Sequence, residues 1–277
     1  QPVLVRSGDG ICIEWGYVYL CAGREAKTGE CRASGLKAIF VREELDTVAR
    51  QKALFLLGYD DQYSIVYFGD ALKAYWKKDG QTIEQALSAA YAEYTVVLER
   101  CQAFDADMTA KAAAVGGEKY AQLLQLALRQ VLAAHKLVVD THGELLYISK
   151  ECFSNGCAAT VDVSYPSMPL FLLYDPELIK GMMRPVFRYA GSALWPYDFA
   201  PHDVGTYPIL NGQTYSGGTD PEGQMPVEEC GDLLIMAVAV SLAEGHTAFA
   251  GQHRTLLEKW AQYLLRNGLD PDDQLCT

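Results

Sequence analysis

The sequence of 277 residues has no cluster of basic residues and no long apolar run. Its 23 Lys and Arg side chains are outnumbered by 35 Asp and Glu side chains, which gives a formal net charge of −12. Such a surface repels nucleic acid and anionic membranes. No segment approaches the ~20 apolar residues that a transmembrane helix needs. We therefore expect neither a nucleic-acid partner nor a membrane partner.

The motifs of common metal and cofactor sites are also missing. Eight cysteines in 277 residues are too few for a disulfide-dependent scaffold. No Cys-x-x-Cys pair, zinc-type His/Cys cluster, dinucleotide fingerprint or Walker loop is present, and no carboxylate spacing requires calcium. We predict no metal and no cofactor. A reactive thiol at Cys152 or Cys157 stays open, because both lie in the candidate site described below.

The first part of the chain has the pattern of β-structure. Short runs rich in aromatic and β-branched residues are separated by Gly and Asp, which is typical of antiparallel sheet. These runs cover residues 11–20, 36–41, 52–57 and 63–68. We interpret residues 1–69 as the latter part of a β-sandwich, and a helix over residues 43–57 is the competing interpretation.

From residue 70 the apolar spacing becomes helical, with a strand expected at residues 145–149. Thr82 and Gln85 form a capping-box pattern, and Asp175 before Pro176 is a helix start. Gly116-Gly117 predicts the turn of an antiparallel helical hairpin. His135, in the second arm, is expected to be a core histidine rather than a ligand. The predicted helices cover residues 71–78, 83–116, 118–139, 176–189, 228–243 and 247–266.

Loops between residues 150 and 231 concentrate polar residues among Gly, Pro, Asn and Tyr, where binding residues are often found. His202 beside Asp203 is a pair that could move a proton or orient a polar substrate. The alternative is an Asp turn with a surface histidine. Glu228 and Glu229 open a helix, where the helix dipole alone favours acidic residues. Because adjacent helical side chains diverge by about 100°, we expect at most one of the two to face a ligand.

Four further side chains in these loops are candidate substrate contacts, with Lys150 as a fifth that could orient a substrate. Thr160 and Asp162 lie two apart in an apparently extended segment, which would place both on one face. They could equally bond to nearby backbone. Asn155, in the turn Ser154-Asn155-Gly156, offers an amide donor and acceptor. Ser154 is a weak nucleophile candidate because no Gly-x-Ser-x-Gly elbow surrounds it. Tyr207 belongs to an aromatic rim that would suit sugars or small polar molecules.

With these motifs in order, the sequence resembles the glutaminase A family of fungi and bacteria. The resemblance is dense from residue 150 to residue 277 and looser over residues 58–139. The matching motifs are Lys-Glu-x-x-Ser-Asn-Gly at 150–156, Thr-Val-Asp-Val at 160–163, Tyr-Asp-Pro-Glu-Leu at 174–178, His-Asp-Val-Gly-Thr-Tyr-Pro at 202–208 and Met-Pro-Val-Glu-Glu-Cys-Gly at 225–231.

The resemblance implies an α+β fold in which the C-terminal part of an antiparallel β-sandwich precedes the first half of an (α/α)6 six-hairpin toroid. On this interpretation the boundary lies between residues 69 and 70. Only about half of the helices of such a toroid are visible, so we expect residues or a second chain beyond Thr277 to complete it. The resemblance also implies a secreted or periplasmic protein.

The implied activity is hydrolysis of the side-chain amide of L-glutamine to glutamate and ammonia. Chemistry alone suggests Asp203 or Glu229 as the base, with Glu228 and His202 as further catalytic candidates. Lys150, Asn155 and His202 would orient the substrate or stabilise an oxyanion. One alternative is a glycoside hydrolase, because paired carboxylates and an aromatic rim suit an oxocarbenium-like transition state. The other is an inactive homologue that binds a carbohydrate or a partner. The small-molecule partner is therefore expected to be glutamine or a sugar.

Overall fold

The structure is a computed structural model that describes residues 4, 14–46, 48, 52–151 and 155–271. These residues fall into two compact units. The sheet unit contains residues 14–62 and 76–125, and the helical unit contains residues 63–75 and the described part of 126–277. Antiparallel strand pairs and separate helices confirm the predicted α+β class.

Two antiparallel strand pairs form the β-structure of the sheet unit. Strand β1 (Tyr17–Cys21) pairs with β4 (Leu56–Asp60), and β2 (Lys27–Ala33) pairs with β3 (Leu36–Arg42). Ser34 and Gly35 join β2 to β3 with φ angles of 52° and 81°, the twist that a two-residue hairpin favours. The competing helix over residues 43–57 is wrong, since the described residues 52–55 are not helical and β4 begins at Leu56. Residues 11–13, 47 and 49–51 of the two predictions lie outside the described residues. The β-sandwich assignment and its boundary stay predictions.

Helix α1 (Ile83–Ala133) is a bent helix with two arms. Its start has the predicted capping box, because Thr82 N donates to Gln85 Oε1 at 2.9 Å and Gln85 N donates to Thr82 Oγ1 at 3.3 Å. At Gly117 the backbone leaves the helical conformation with φ 81° and ψ −179°. The chain therefore reverses at the predicted glycine pair.

Three short strands and a hairpin supply the β-structure of the helical unit. Strand β5 (Ile65–Tyr67) lies between β6 (Asp70–Leu72) and β9 (Ile209–Leu210). Strand β7 (His135–Val139) pairs antiparallel with β8 (Leu145–Ser149), so the strand prediction for residues 145–149 is confirmed.

Two helix predictions in this part of the chain are wrong. Residues 71–78 form the end of β6 and a single 3-10 turn, because Phe68 and Gly69, with φ angles of 48° and 91°, turn the chain back along β5. Residues 135–139 form β7 instead of the end of a helix. His135 is nevertheless half-buried and stacks on Tyr147, with 4.4 Å between the ring centres. Burial lowers its pKa, as expected of a core histidine.

Five helices complete the helical unit: α2 (Val161–Tyr174), α3 (Pro176–Ala190), α4 (Pro226–Glu244), α5 (Ala248–Gln252) and α6 (Arg254–Asn267). The start of α3 is confirmed, since the Asp175 carboxylate accepts a hydrogen bond from Glu177 N at 3.0 Å. The predicted helix over residues 247–266 is divided at His253 into α5 and α6. None of the helices in the described ranges is both long and apolar enough to cross a membrane.

The extended conformation predicted for residues 160–163 is wrong, because α2 begins at Val161. Pro166 and Pro169 lie inside this helix, and proline removes a backbone donor and disfavours a helix interior. Buried Val161, Met168 and Phe171 show that tertiary packing outweighs this local penalty.

The core of the helical unit lies where α2, α3, α4 and α6 pack on one another and α3 packs on β8. A Cβ atom on Gly181 of α3 would lie 3.0 Å from the backbone N of Tyr147, so glycine permits the close approach of α3 to β8. The fully buried side chains of these helices include Phe171, Ile179, Met182, Met183, Leu233, Met236 and Trp260.

Candidate functional site

Three segments of the helical unit converge on the candidate site. Residues 155–160 pair with residues 202–207: Ala158 N donates to Gly205 O at 2.8 Å, and Val204 N donates to Ala158 O at 3.0 Å. Val161 N, at the start of α2, donates to His202 O at 2.9 Å. These bonds place His202 beside the first turn of α2.

The start of α4 is attached to the same segment. Ala200 N donates to the buried Cys230 Sγ at 3.2 Å, in the first turns of α4. Asp162 lies in the first turn of α2, Glu228 and Glu229 lie in the first turn of α4, and Asp232 follows one turn later. We call these four carboxylates the acidic cluster. Two helix N-termini favour negative charge here, because the helix dipole is positive at that end.

His202 is buried and held on both sides. Its Nδ1 lies 3.1 Å from Asp203 Oδ2, and its ring stacks on Tyr215 with 4.0 Å between ring centres. We assign the proton to Nδ1 because Asp203 is the acceptor there. The other nitrogen, Nε2, then faces the acidic cluster with its lone pair, 3.8 Å from Asp162 Oδ1.

The wholly buried Asp203 carboxylate is saturated with donors. It accepts hydrogen bonds from Gly205 N at 2.8 Å, Thr214 N at 2.9 Å and Tyr215 N at 3.0 Å, in addition to the His202 ring. A carboxylate with its lone pairs in use is poorly placed to take a proton from water. The geometry therefore favours a positioning role for Asp203 over the predicted role as base, and its catalytic assignment stays a prediction.

The acidic cluster, in contrast, contains carboxylate oxygens without partners. Glu229 has no exposed surface, and neither of its carboxylate oxygens has a hydrogen-bond partner among the described residues. One buried oxygen each of Asp162, Glu228 and Asp232 also lacks a partner there. Buried carboxylates are normally hydrogen-bonded or paired with a cation. A ligand that supplied hydrogen-bond donors or positive charge at the cluster would therefore offset this cost.

Burial changes the acidity of these groups. It raises the pKa of the Glu229 carboxyl well above its ordinary value, and the nearby Asp162 raises it further. Burial, with Glu228 as the next cause, raises the pKa of Asp232 to about 7. The pKa of Glu228 is also raised, first by burial and then by Asp162. Without a compensating cation, the cluster therefore disfavours full ionisation.

Two expectations about α4 can be compared with this geometry. Asp162 raises the pKa of both Glu228 and Glu229, so its charge acts on both carboxyls, and the expectation that at most one of them faces a ligand stays a prediction. Side chains of a first helical turn lean toward the N-terminus, which lets both reach a site at the helix end. Asp232 was missed, although its spacing of four residues from Glu228 and three from Glu229 puts it on the same face.

The predicted substrate contacts lie in different places. Asp162 belongs to the acidic cluster. Thr160, directly before α2, is buried, and its hydroxyl donates to Glu151 Oε2 at 3.4 Å. Lys150 Nζ lies 5.3 Å from the ring centre of Tyr207, a cation–π contact. The shared strand face proposed for Thr160 and Asp162 is therefore wrong, and their roles in binding stay predictions.

The turn at residues 154–157 is described only in part. The exposed Asn155 accepts a hydrogen bond from Cys157 N at 2.9 Å through its Oδ1. Burial raises the pKa of the Cys157 thiol, which disfavours a reactive thiolate there. Ser154 and Cys152 lie outside the described residues.

Comparison with known proteins gives two matching family models. Residues 117–277 match the Glutaminase A six helical-hairpin domain, and this range includes the whole acidic cluster together with His202. Residues 39–111 match a Domain of unknown function (DUF5127). The six-hairpin prediction is confirmed by the first match.

Two relatives show the same likeness over most of the chain. Glutaminase A of Aspergillus oryzae is 31% identical over 230 residues, which are 81% of this chain and 33% of the relative. A probable glutaminase of Arthroderma benhamiae is 28% identical over 260 residues, which are 84% of this chain and 29% of the relative. The chain thus spans about a third of the length of these relatives.

Proposed function

Because this chain belongs to the glutaminase A family, we propose that it supplies part of the active centre of a hydrolase that converts L-glutamine and water to L-glutamate and ammonia. The observation that carries the proposal is the acidic cluster next to His202, in which several carboxylate oxygens have no hydrogen-bond partner among the described residues. All of these residues lie within the range that matches the family domain.

Hydrolysis of an amide requires a proton to leave the attacking water and a proton to reach the departing nitrogen. A carboxylate that performs both transfers must be accessible to substrate and free of strong partners. Glu228 is half-buried, and its buried Oε2 has no hydrogen-bond partner among the described residues, whereas Glu229 and Asp203 have no exposed surface. We therefore assign the proton transfer to Glu228, which takes the proton from water and returns it to the leaving ammonia.

The remaining groups would orient the substrate. Asp162, whose side chain is 29% exposed, lies at the accessible edge of the cluster beside His202. Lys150, in contact with the Tyr207 ring, carries the positive charge that would suit the substrate α-carboxylate. Asn155 offers an exposed amide for a polar contact.

One observation favours glycoside hydrolysis as a second candidate. One carboxylate oxygen of Asp162 and one of Glu229 lie within 4.8 Å of each other, and retaining glycosidases place two carboxyl groups about 5–5.5 Å apart. However, Glu229 has no exposed surface with which to reach a sugar. The names of the two relatives also favour the glutaminase, which we keep as the first candidate.

The proposal includes further helical hairpins that pack against this chain. An apolar groove runs along α4, α5 and α6, where Val238 is 58% exposed and Leu242 is 78% exposed. Since the chain spans about a third of its relatives, we propose that other hairpins of the six-hairpin domain cover this groove. Activity should accordingly be measured on the full polypeptide that contains this sequence.

The test is release of ammonia from L-glutamine, with a panel of nitrophenyl glycosides in parallel. We expect Glu228→Gln to lower the turnover of glutamine by about 10²–10⁴-fold, the usual contribution of a proton-transfer group. Glu222→Gln is the matched control, because Glu222 is an exposed acid in the same unit, and it should leave turnover unchanged.

Each other outcome has a distinct meaning. Glycoside cleavage without ammonia release would reject the glutaminase and support the second candidate. If neither glutamine nor a glycoside is hydrolysed, the remaining hypothesis is a homologue that binds a ligand without catalysis. Ammonia release that survives in Glu228→Gln would keep the reaction and reject Glu228 as the proton-transfer group.

A further inference from the structure

Three side chains of the site have the arrangement of metal ligands. One ligand atom each from Asp162, His202 and Glu229 lies within 4.8 Å of the other two. Ligands bound to one ion at about 2.0–2.2 Å lie no more than about 4.4 Å apart. The three atoms therefore need to move inward by less than about 1 Å to share an ion.

The gap between His202 and Asp162 supports such an arrangement. His202 Nε2 and Asp162 Oδ1 are 3.8 Å apart, which is too long for a hydrogen bond. The same distance fits two ligands on one ion. Asp162 Oδ1 is also buried without a hydrogen-bond partner among the described residues.

Glu229 is the independent indication that a ligand belongs here. It is wholly buried, neither of its oxygens has a hydrogen-bond partner in the part of the chain that the structure describes, and it lies next to His202 and Asp162. No ion pair within the described residues joins a Lys or Arg side chain to Asp162, Glu228, Glu229 or Asp232. Burial of unpaired carboxylates is costly unless a cation neutralises them.

The orientation of His202 is that of a metal-bound imidazole. A ligating histidine usually donates its other ring N–H to a carboxylate, which fixes the ring and its tautomer. Asp203 Oδ2 receives the Nδ1 proton at 3.1 Å and is itself held by backbone N–H groups. The Nε2 lone pair is left to face Asp162, 3.8 Å from its Oδ1.

We propose that Asp162, His202 and Glu229 bind one divalent metal ion of the Mn²⁺ or Zn²⁺ class. Carboxylate oxygens alone would suit Ca²⁺ or Mg²⁺, but an imidazole ligand favours transition metals. Asp232, one turn after Glu229 on α4, also has a buried oxygen without a hydrogen-bond partner among the described residues. The proposed ion site is independent of the proposed hydrolysis, because the ion can bind when no substrate is present.

The experiment uses the untagged full polypeptide that contains this sequence, after treatment with EDTA, with MnCl₂ and ZnCl₂ as probes and MgCl₂ for comparison. Calorimetry should give one ion per chain. Removing even an outer partner of a metal ligand typically costs about 10–100-fold in affinity. We therefore expect Glu229→Gln and Asp162→Asn each to weaken binding at least about tenfold, with Glu222→Gln unchanged as the exposed control.

A spectroscopic readout identifies the imidazole. Pulsed EPR of the Mn²⁺-loaded chain should show coupling to a histidine nitrogen that is lost in His202→Gln. Glu229→Gln keeps the shape of the side chain and removes a buried charge, so the variant should fold, and circular dichroism would verify this. Asp162→Asn, at a partly exposed position, provides a second variant.

The proposal is overturned if the chain binds none of the ions at millimolar concentration, or if Glu229→Gln and Asp162→Asn bind as tightly as the parent. Water or protons would then satisfy the carboxylates. A chain that binds the ion but belongs to a protein that releases no ammonia would keep this site and reject the proposed function.

Discussion

His202 and Asp203 are adjacent in the chain, and the Asp203 carboxylate orients the imidazole while it also accepts backbone N–H groups of residues 205, 214 and 215. The buried Asp203 carboxylate therefore binds both the loop at residues 203–215 and the His202 ring. The conformation of this loop and the direction in which His202 Nε2 points both depend on the Asp203 carboxylate.

Asp203→Asn should destabilise the protein by about 1–3 kcal/mol. The amide can replace only one oxygen, so its NH₂ group would face either the Tyr215 N–H or the backbone donors on the other side. Urea unfolding would measure the loss of free energy, and nitrogen-detected NMR would report whether the His202 tautomer changes.

Asp198→Asn is the control for Asp203→Asn. Asp198 is about half exposed and pairs with Arg266 at 2.7 Å on the surface. Such exposed pairs contribute about 0–1 kcal/mol. If the two variants unfold alike and His202 keeps its tautomer, the positioning role of Asp203 is wrong.

The sequence indicated part of this site and missed the rest for a physical reason. His202, Asp203, Glu228 and Glu229 were recognised as chemical groups, because their types and local motifs are visible in the chain. Asp162 was expected in an extended segment. Pro166 and Pro169 lie inside the helix that carries it, and prolines in a helix interior argue against a helix in the sequence. The approach of α2 to α4, which creates the cluster, depends on contacts between residues about 65 apart, and no local pattern contains them.

The helical hairpin illustrates the opposite case, in which local chemistry was sufficient. Gln125 Nε2 donates to Thr109 Oγ1 at 2.6 Å, although sixteen residues separate them. A straight helix would place them about 24 Å apart at a rise of about 1.5 Å per residue. The reversal occurs at Gly117, midway between them, where the sequence placed it.

Gly117→Ala should lower the free energy of unfolding by about 1–3 kcal/mol. The φ and ψ angles of 81° and −179° belong to a region that is essentially restricted to glycine, and a Cβ atom would strain the turn between the two arms. Chemical denaturation followed by circular dichroism at 222 nm would measure the change.

Gly251→Ala provides the contrast for this variant. Gly251 lies in α5 and has open space around the position of a Cβ atom. Alanine favours a helix over glycine by up to about 1 kcal/mol, so this variant should be neutral or more stable. Equal destabilisation by both changes would contradict the backbone explanation for Gly117.

An ion-pair network connects α3 to the end of α4. Lys180 Nζ lies 2.5 Å from Glu177 Oε2 and 2.6 Å from Glu244 Oε1, and Arg184 Nη2 lies 2.6 Å from Glu177 Oε1. Burial opposes ionisation of Glu177, but Lys180 and Arg184 outweigh it and hold the Glu177 pKa below its ordinary value of 4.5.

A depressed carboxyl pKa stabilises the fold above the pKa of the unfolded chain. That contribution is lost as pH falls through the lower pKa of the folded state. At pH 7, Glu177→Gln should therefore cost about 1 kcal/mol or less, since the group is partly exposed. The difference from the parent should shrink as the pH falls below 4.5, as measured by urea unfolding across a pH series.

Glu258→Gln is the matched control, because Glu258 pairs with Arg254 and its side chain is 61% exposed. Its effect at pH 7 should be smaller than that of Glu177→Gln, since solvent screens the pair. If the loss of unfolding free energy in Glu177→Gln stays constant down to pH 3, the substitution removes packing of the side chain and not the effect of its charge. The network would then have no part in the acid sensitivity of the fold.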